Sequence, residues 1–170
     1  MNLEQALKNT TAPGSIIDSI TLLEVEHFGY DNIIHIGHLV VNKALAEEVK
    51  TIFDLLLQNK FPIEKIIPIS EYNFNDELSM RDNNSSCFNY RTIAGTERLS
   101  KHAFGNAIDI NPRYNPYINS TKISPINGIY DNTEKGTILQ NSSIVQIFKS
   151  FGWTWGGDWV DYKDYQHFEK

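Results

Sequence analysis

The spacing of apolar residues changes several times along the chain, and each change marks an element. The stretches "IIDSITLLEVEHF" (16–28) and "IIHIGHLVVN" (33–42) are rich in β-branched residues and predict strands. In "KALAEEVKTIFDLLLQNKF" the period lengthens. Leu45, Val49, Ile52, Phe53 and Leu56 recur at three- and four-residue steps, the stripe of an amphipathic helix that ends near Asn59 and Pro62. "EKIIPIS" predicts a short strand, with Pro68 favouring an edge or a bend. "YNFNDELSMRDNNSS" reads as a polar loop or short helix. "CFNYRTI" reads as a strand with Phe88 and Tyr90 on one face and Asn89 and Arg91 on the other.

Beyond Pro112 the pattern dissolves into a segment dense in Asn, Pro, Gly and Tyr that lasts to about Gly136. A loop of that length inside a compact domain is more often functional than idle, and this one is the candidate specificity element. "NSSIVQIFKSFGW" restores helical spacing through Ile144, Ile147 and Phe148, with Ser142 or Ser143 to cap it and Gly152 to end it. The closing "WTWGGDWVDYKDYQHFEK" is aromatic, glycine-broken and acidic, and ends on a predicted strand. "NTTAPGS" is a turn-rich break after a short helical start. Repeats, low-complexity tracts and linkers are missing, so residues 1–170 read as one domain. Strands and helices alternate without a βαβ rhythm, which predicts an α+β fold: a small, mainly antiparallel sheet with packed helices.

Composition narrows the function. A net charge of −6 argues against a nucleic-acid partner, which would call for a basic face. The longest apolar runs are too short and too polar to span a bilayer. "MNLEQALKNTTAPGS" lacks the basic start and apolar core of an export signal. The single cysteine, Cys87, excludes an intrachain disulfide and a cysteine-rich zinc knuckle, and reads as a small, semi-buried residue. Any metal would therefore be held by histidines and carboxylates.

Chemistry concentrates in "LSKHAFGNAIDINPRYNPY" (99–117) and "DYQHFE" (164–169). In a straight strand His102 and Asp109 would lie about 23 Å apart on opposite faces. In one helix they would share a face about 10 Å apart along the axis. A bend at Gly105 resolves this, delivering His102 from a loop while "AIDI" runs as a strand. Ile108 and Ile110 then enter the core and Asp109 faces away from it. With His167, two imidazoles and a carboxylate form the open three-ligand set of a catalytic zinc site. Asp164, three residues before His167, is placed to act as general base, with Asp158 and Glu169 as rivals. Glu169 shares a strand face with His167 and could instead support an imidazole.

"SKHAFGNAID" matches S-x-H-x-x-G-x-A-x-D, a signature that resembles the zinc D-alanyl-D-alanine peptidase (M15) family. "GWTWGGDW" followed by "DYQHFE" resembles the C-terminal pattern of its L-alanyl-D-glutamate peptidase subgroup, which has Asp164 where most members carry glutamate. The likeness runs from about Phe61 to Lys170. It implies the fold shared by these enzymes and the hedgehog signalling domain. It also implies one zinc ion on His102, Asp109 and His167, with Asp164 as base. Ser100 would contact substrate or hold the loop. Arg91, with Arg81 as runner-up, would steady the oxyanion. The implied substrate is bacterial cell-wall (peptidoglycan) peptide containing D-amino acids, cleaved outside the cytoplasm; the chain itself is expected to act as a monomer. A non-catalytic zinc-containing peptide- or protein-binding module and a hydrolase for another amide are the rival readings.

Three further groups read as structural. His27, His35 and His38 suit ordinary packing, with His35 and His38 on opposite strand faces. Trp153, Trp155 and Trp159 could stack on sugars but are expected to pack the C-terminal strands, one of them lining a cleft rim. Asp161 and Glu71 are expected at the surface.

Overall fold

In the computed structural model, which describes residues 1–170, two short helices, α1 (Leu3–Ala6) and α2 (Gly14–Ile17), precede the first strand. Ile16 and Ile17, read above with that strand, are therefore helical. Pro13 holds φ near −68° at the N-cap of α2, a conformation that starts a turn more readily than it extends a strand. Strand β1 (Ile20–Phe28) then pairs antiparallel with β2 (Ile34–Asn42), in register from Ile20–Asn42 to Phe28–Ile34. Val25 and His27 point inward between the exposed Glu24 and Glu26.

A single turn leads from β2 into α3 (Ala46–Gln58), which lies against β1. Val49, Ile52, Phe53 and Leu56 are its buried stripe, as the periodicity predicts. Next come β3 (Lys65–Ile66), α4 (Asp76–Arg81) and β4 (Asn84–Ser85), with β3 and β4 forming the one parallel pair. Asn75 caps α4 by accepting the Leu78 N–H at 3.0 Å.

The strand predicted over 87–93 is not regular. The Phe88 N–H donates to the Val40 carbonyl and the Asn89 N–H to the His102 carbonyl, so neighbouring residues are tied to different segments. Phe88 and Asn89 are consequently both buried, and the expected two-faced alternation is lost.

Strands β5 (Ala107–Asp109), β6 (Tyr117–Ile118) and β7 (Ile123–Ser124) follow, then α5 (Ser143–Ser150), β8 (Thr154–Trp155), β9 (Lys163–Asp164) and β10 (His167–Glu169). They form two three-stranded antiparallel sheets, ordered β5-β10-β8 and β7-β6-β9. The architecture is α+β with small, mostly antiparallel sheets. Ser142 is the N-cap of α5 without a side-chain cap bond, and Gly152 follows the helix at φ +81°.

The long segment 112–136 is partly ordered by the β6–β7 hairpin and closed over buried asparagines. The Asn115 side chain donates to the Gly136 carbonyl at 2.9 Å and accepts the Ile138 N–H at 2.6 Å. Asn111 donates to the carbonyls of Pro62 and Gly136. These bonds satisfy backbone groups that would otherwise be buried without partners. The main core joins α3, α5, β1, β2, β5 and β10. In it Phe168 stacks on Phe148 at 4.0 Å, and Trp153 and Trp155 fill the C-terminal side. No helix is long and apolar enough to cross a membrane.

Candidate metal centre and its cleft

Two local devices bring the distant motif residues together. Ser100 caps a short 3-10 turn over Lys101–Phe104, its hydroxyl accepting the His102 N–H at 3.3 Å. Gly105 ends that turn at φ +68°, and the chain doubles back into β5. A Cβ at Gly105 would lie 2.6 Å from the Asn42 backbone nitrogen, so both the left-handed conformation and the close approach require glycine. The second device is the β5–β10 ladder, which sets His167 directly opposite Asp109. Alternation along β10 sends Phe168 into the core and leaves His167 and Glu169 on the other face.

His102, Asp109 and His167 meet with ligand-type atoms all within 4.8 Å of one another, at exposures of 3%, 5% and 7%. His102 Nε2 is 3.2 Å from His167 Nδ1 and 3.2 Å from Asp109 Oδ2, and His167 Nδ1 is 3.0 Å from Asp109 Oδ1. The outer ring nitrogens have acceptor partners. His102 Nδ1 faces the Cys87 carbonyl, and His167 Nε2 faces Glu169 Oε2 at 3.0 Å. Both outer nitrogens therefore carry hydrogen, and the two inner nitrogens converge with a carboxylate oxygen, free to turn their lone pairs on an ion that displaces the proton between them. Such a donor set calls for a cation and fits zinc, which takes imidazole nitrogen and carboxylate oxygen.

Electrostatics agree. Burial alone would lower the His167 imidazole, but its bonds to Asp109 and Glu169 outweigh this and raise it to about 10. Asp109 is held well below the usual carboxylate range because the charge and hydrogen bonds of the two imidazoles overcome its burial. Burial pushes the Cys87 thiol up, so it remains a neutral packing residue, and at 2% exposure it is more deeply buried than the sequence reading placed it.

The triad lies in a cleft of about 940 Å3 that Ser100, Arg91 and Asp164 also line. Asp164 comes from β9, is half-buried and accepts a hydrogen bond from Gln166 Nε2 at 3.1 Å. Burial raises it to about 6, with the His167 charge partly opposing. Arg91 reaches the same cleft and pairs with Asp76 at 2.9 Å. Arg81 is exposed on α4, away from the cleft lining.

Of the rival bases, Asp158 is exposed and bound to Lys149 at 2.6 Å, while Glu169 is committed to His167. Trp153 and Trp155 are core residues, and Trp159 lines the cleft with its ring 5.5 Å from that of His167. His27 is buried against the Ile63 carbonyl and stacks on His35, and Asp161 and Glu71 are exposed. Sequence reasoning missed Asp76 and Gln166. The first sits on a helix whose place beside Arg91 only the tertiary fold reveals. The second lay in view within "DYQH", two residues from the carboxylate it holds.

A family model described as D-alanyl-D-alanine carboxypeptidase matches residues 94–170. The match covers both motifs and all three converging side chains, and it supports the likeness to M15 peptidases over the C-terminal part of the chain. It starts at Ala94, later than the Phe61 from which the likeness was read. No curated protein and no solved structure matches the sequence.

Proposed function

We propose that this protein is a zinc-dependent peptidase that hydrolyses a peptide bond in D-amino-acid-containing cell-wall peptide. The observation that carries the reading is the convergence of two imidazole nitrogens and one carboxylate on the wall of a cleft that also holds Asp164 and Arg91. His102, Asp109 and His167 would hold the ion, which supplies Lewis acidity and brings the pKa of a water to about 7.

The remaining roles belong to the chain. Asp164, anchored through Oδ1 by Gln166, has Oδ2 to take up a proton and return it to the departing amine. Arg91 offers a fixed guanidinium to the negative charge that develops on the carbonyl oxygen. Ser100 holds the His102 turn, and Glu169 fixes the His167 tautomer. The "GWTWGGDW…DYQHFE" pattern favours an L-alanyl-D-glutamate-type bond within the wider class. Action is expected outside the cytoplasm, by a monomer.

The test is hydrolysis of purified peptidoglycan by zinc-loaded protein beside Asp164→Ala, with new termini identified by mass spectrometry. We expect zinc in both proteins, cleavage only by the unmutated one, and termini that name the bond. Stoichiometric zinc with no cleavage by either protein would replace this reading with that of a zinc-containing binding module or a hydrolase for another amide.

A further inference from the structure

Arg91 is the one guanidinium assigned chemistry in the cleft, and its side chain is long enough to adopt many rotamers unless something holds it. Asp76, the first residue of α4, supplies that hold. Its Oδ2 accepts from Arg91 Nη2 at 2.9 Å, and its Oδ1 accepts from Asn89 Nδ2 at 3.1 Å. Both partners are themselves pinned to the turn that presents His102. The Asn89 N–H donates to the His102 carbonyl at 3.0 Å, and the Arg91 carbonyl accepts the Ser100 N–H at 3.0 Å. Asp76 thus closes a ring of hydrogen bonds linking α4, the 89–91 segment and the metal-ligand turn. Asp76 and Arg91 are each about one-third exposed, so water competes for the pair and its net contribution to stability is small. Its main effect is on geometry.

We infer that Asp76 is a positioning residue that holds the Arg91 guanidinium beside the His102–Asp109–His167 centre. The inference rests on the peptidase reading above. A guanidinium fixed before reaction stabilises developing charge without reorganising, whereas an untethered one must be ordered at every turnover. The effect therefore falls on kcat rather than on KM. Glu77, the next residue on α4, braces the opposite side of the cleft. Its carboxylate accepts the Ile126 N–H at 3.0 Å and the Ser124 hydroxyl at 3.4 Å, fastening the turn after β7. Because β7 pairs with β6 and β6 pairs with β9, which carries Asp164, one short helix braces both sides of the cleft.

The experiment compares zinc-loaded wild type, Asp76→Ala, Asp76→Asn, Asp76→Glu, Arg91→Ala and the Asp76→Ala/Arg91→Ala double variant on the cell-wall peptide that wild type cleaves. Asp76→Ala should lower kcat about 10- to 100-fold with KM within about twofold. Asp76→Asn, which keeps the side-chain shape, should show a smaller loss of the same kind, and Asp76→Glu should recover part of the rate. In the Arg91→Ala background the Asp76→Ala change should cost nothing further. A full additional loss in that background, or an unchanged kcat in Asp76→Ala, overturns the assignment.

A readout independent of turnover is rotation of the Arg91 guanidinium, followed by nitrogen NMR of labelled protein. It should be slow in wild type and fast in Asp76→Ala and Asp76→Asn; equal rates would also overturn the assignment. If wild type cleaves no peptide, the peptidase reading fails on its own, and the rotation measurement still decides whether Asp76 holds Arg91.

Discussion

His102 Nε2 and His167 Nδ1 face each other across 3.2 Å, with Asp109 within 3.2 Å of both and each ring's far nitrogen already bound to an acceptor. Protein stripped by a chelator must place a proton where a metal would sit, and His167, raised to about 10, carries it at neutral pH. Zinc uptake at pH 7.5 should therefore release about one proton. Calorimetric titrations in buffers of differing ionisation enthalpy measure the number directly. Apparent affinity should climb about tenfold per pH unit between roughly 6.5 and 10. Uptake with no proton release would mean that the inner lone pairs are not the binding groups.

The same proton ties stability to pH. Because the folded protein raises the His167 pKa from its ordinary value near 6.5 to about 10, that stabilisation is complete below about 6.5 and is lost as pH rises through 10. Stripped protein should accordingly melt at progressively lower temperature from pH 7 to 10. Zinc-loaded protein should resist this change, since zinc replaces the proton between the ligands. Scanning calorimetry of the two forms at matched pH decides the point.

Glu169 reaches the centre through its hydrogen bond with His167. Its carboxylate is held below the ordinary range first by the hydrogen bond from that imidazole. Glu169→Gln should weaken zinc binding about 10- to 100-fold by loosening the ring's orientation and tautomer, while the fold persists. Competition with a chelating dye gives the affinity, and an unchanged value would reduce Glu169 to a surface residue.

How much of this was legible in the sequence follows from where the causes lie. The α3 stripe and the inward Ile108 and Ile110 follow from periodicity, because burial repeats with the element's own geometry. The convergence of His102, Asp109 and His167 was readable because Gly105 marks the bend and two recognisable motifs carry the three side chains. The irregular course of 87–93 was not readable, since its hydrogen bonds go to Val40, His102 and Ser100, partners set by tertiary contact. Asp76 was hidden for the same reason. Nothing in "FNDELS" reveals that its first carboxylate lies beside a guanidinium fifteen positions later. Ile16 and Ile17 showed strand composition, and Pro13 decided otherwise.

Gly105→Ala tests the bend itself. The added methyl would approach the Asn42 nitrogen at 2.6 Å and the Val41 carbonyl carbon at 2.9 Å, both backbone atoms that cannot swing aside. Left-handed φ adds about 1 kcal/mol or more of strain for alanine. The variant should lose at least that much stability in urea denaturation and bind zinc more weakly, because the turn carrying His102 must move. Full stability with full zinc affinity would show that the turn can form without glycine.

Asp164 decides between the peptidase and the binding module. Burial raises its pKa to about 6, so a carboxylate needed in ionised form should give kcat/KM an acid limb, with activity lost as pH falls through that value. A zinc ion nearby favours the charged carboxylate, which places the limb at or below about 6 and not above it. The Gln166 amide also favours the charged form by donating to Oδ1. Gln166→Leu should therefore move the limb upward while leaving zinc bound. Asp164→Asn should abolish the limb and lower kcat by about 10²- to 10⁴-fold with zinc retained, as metal analysis of the purified variant would verify. If Asp164→Asn turns over at the wild-type rate, the proton is carried elsewhere. The remaining carboxylates of the cleft are Asp109, Asp76 on Arg91 and Glu169 on His167, while Asp158, on Lys149, lies outside its lining.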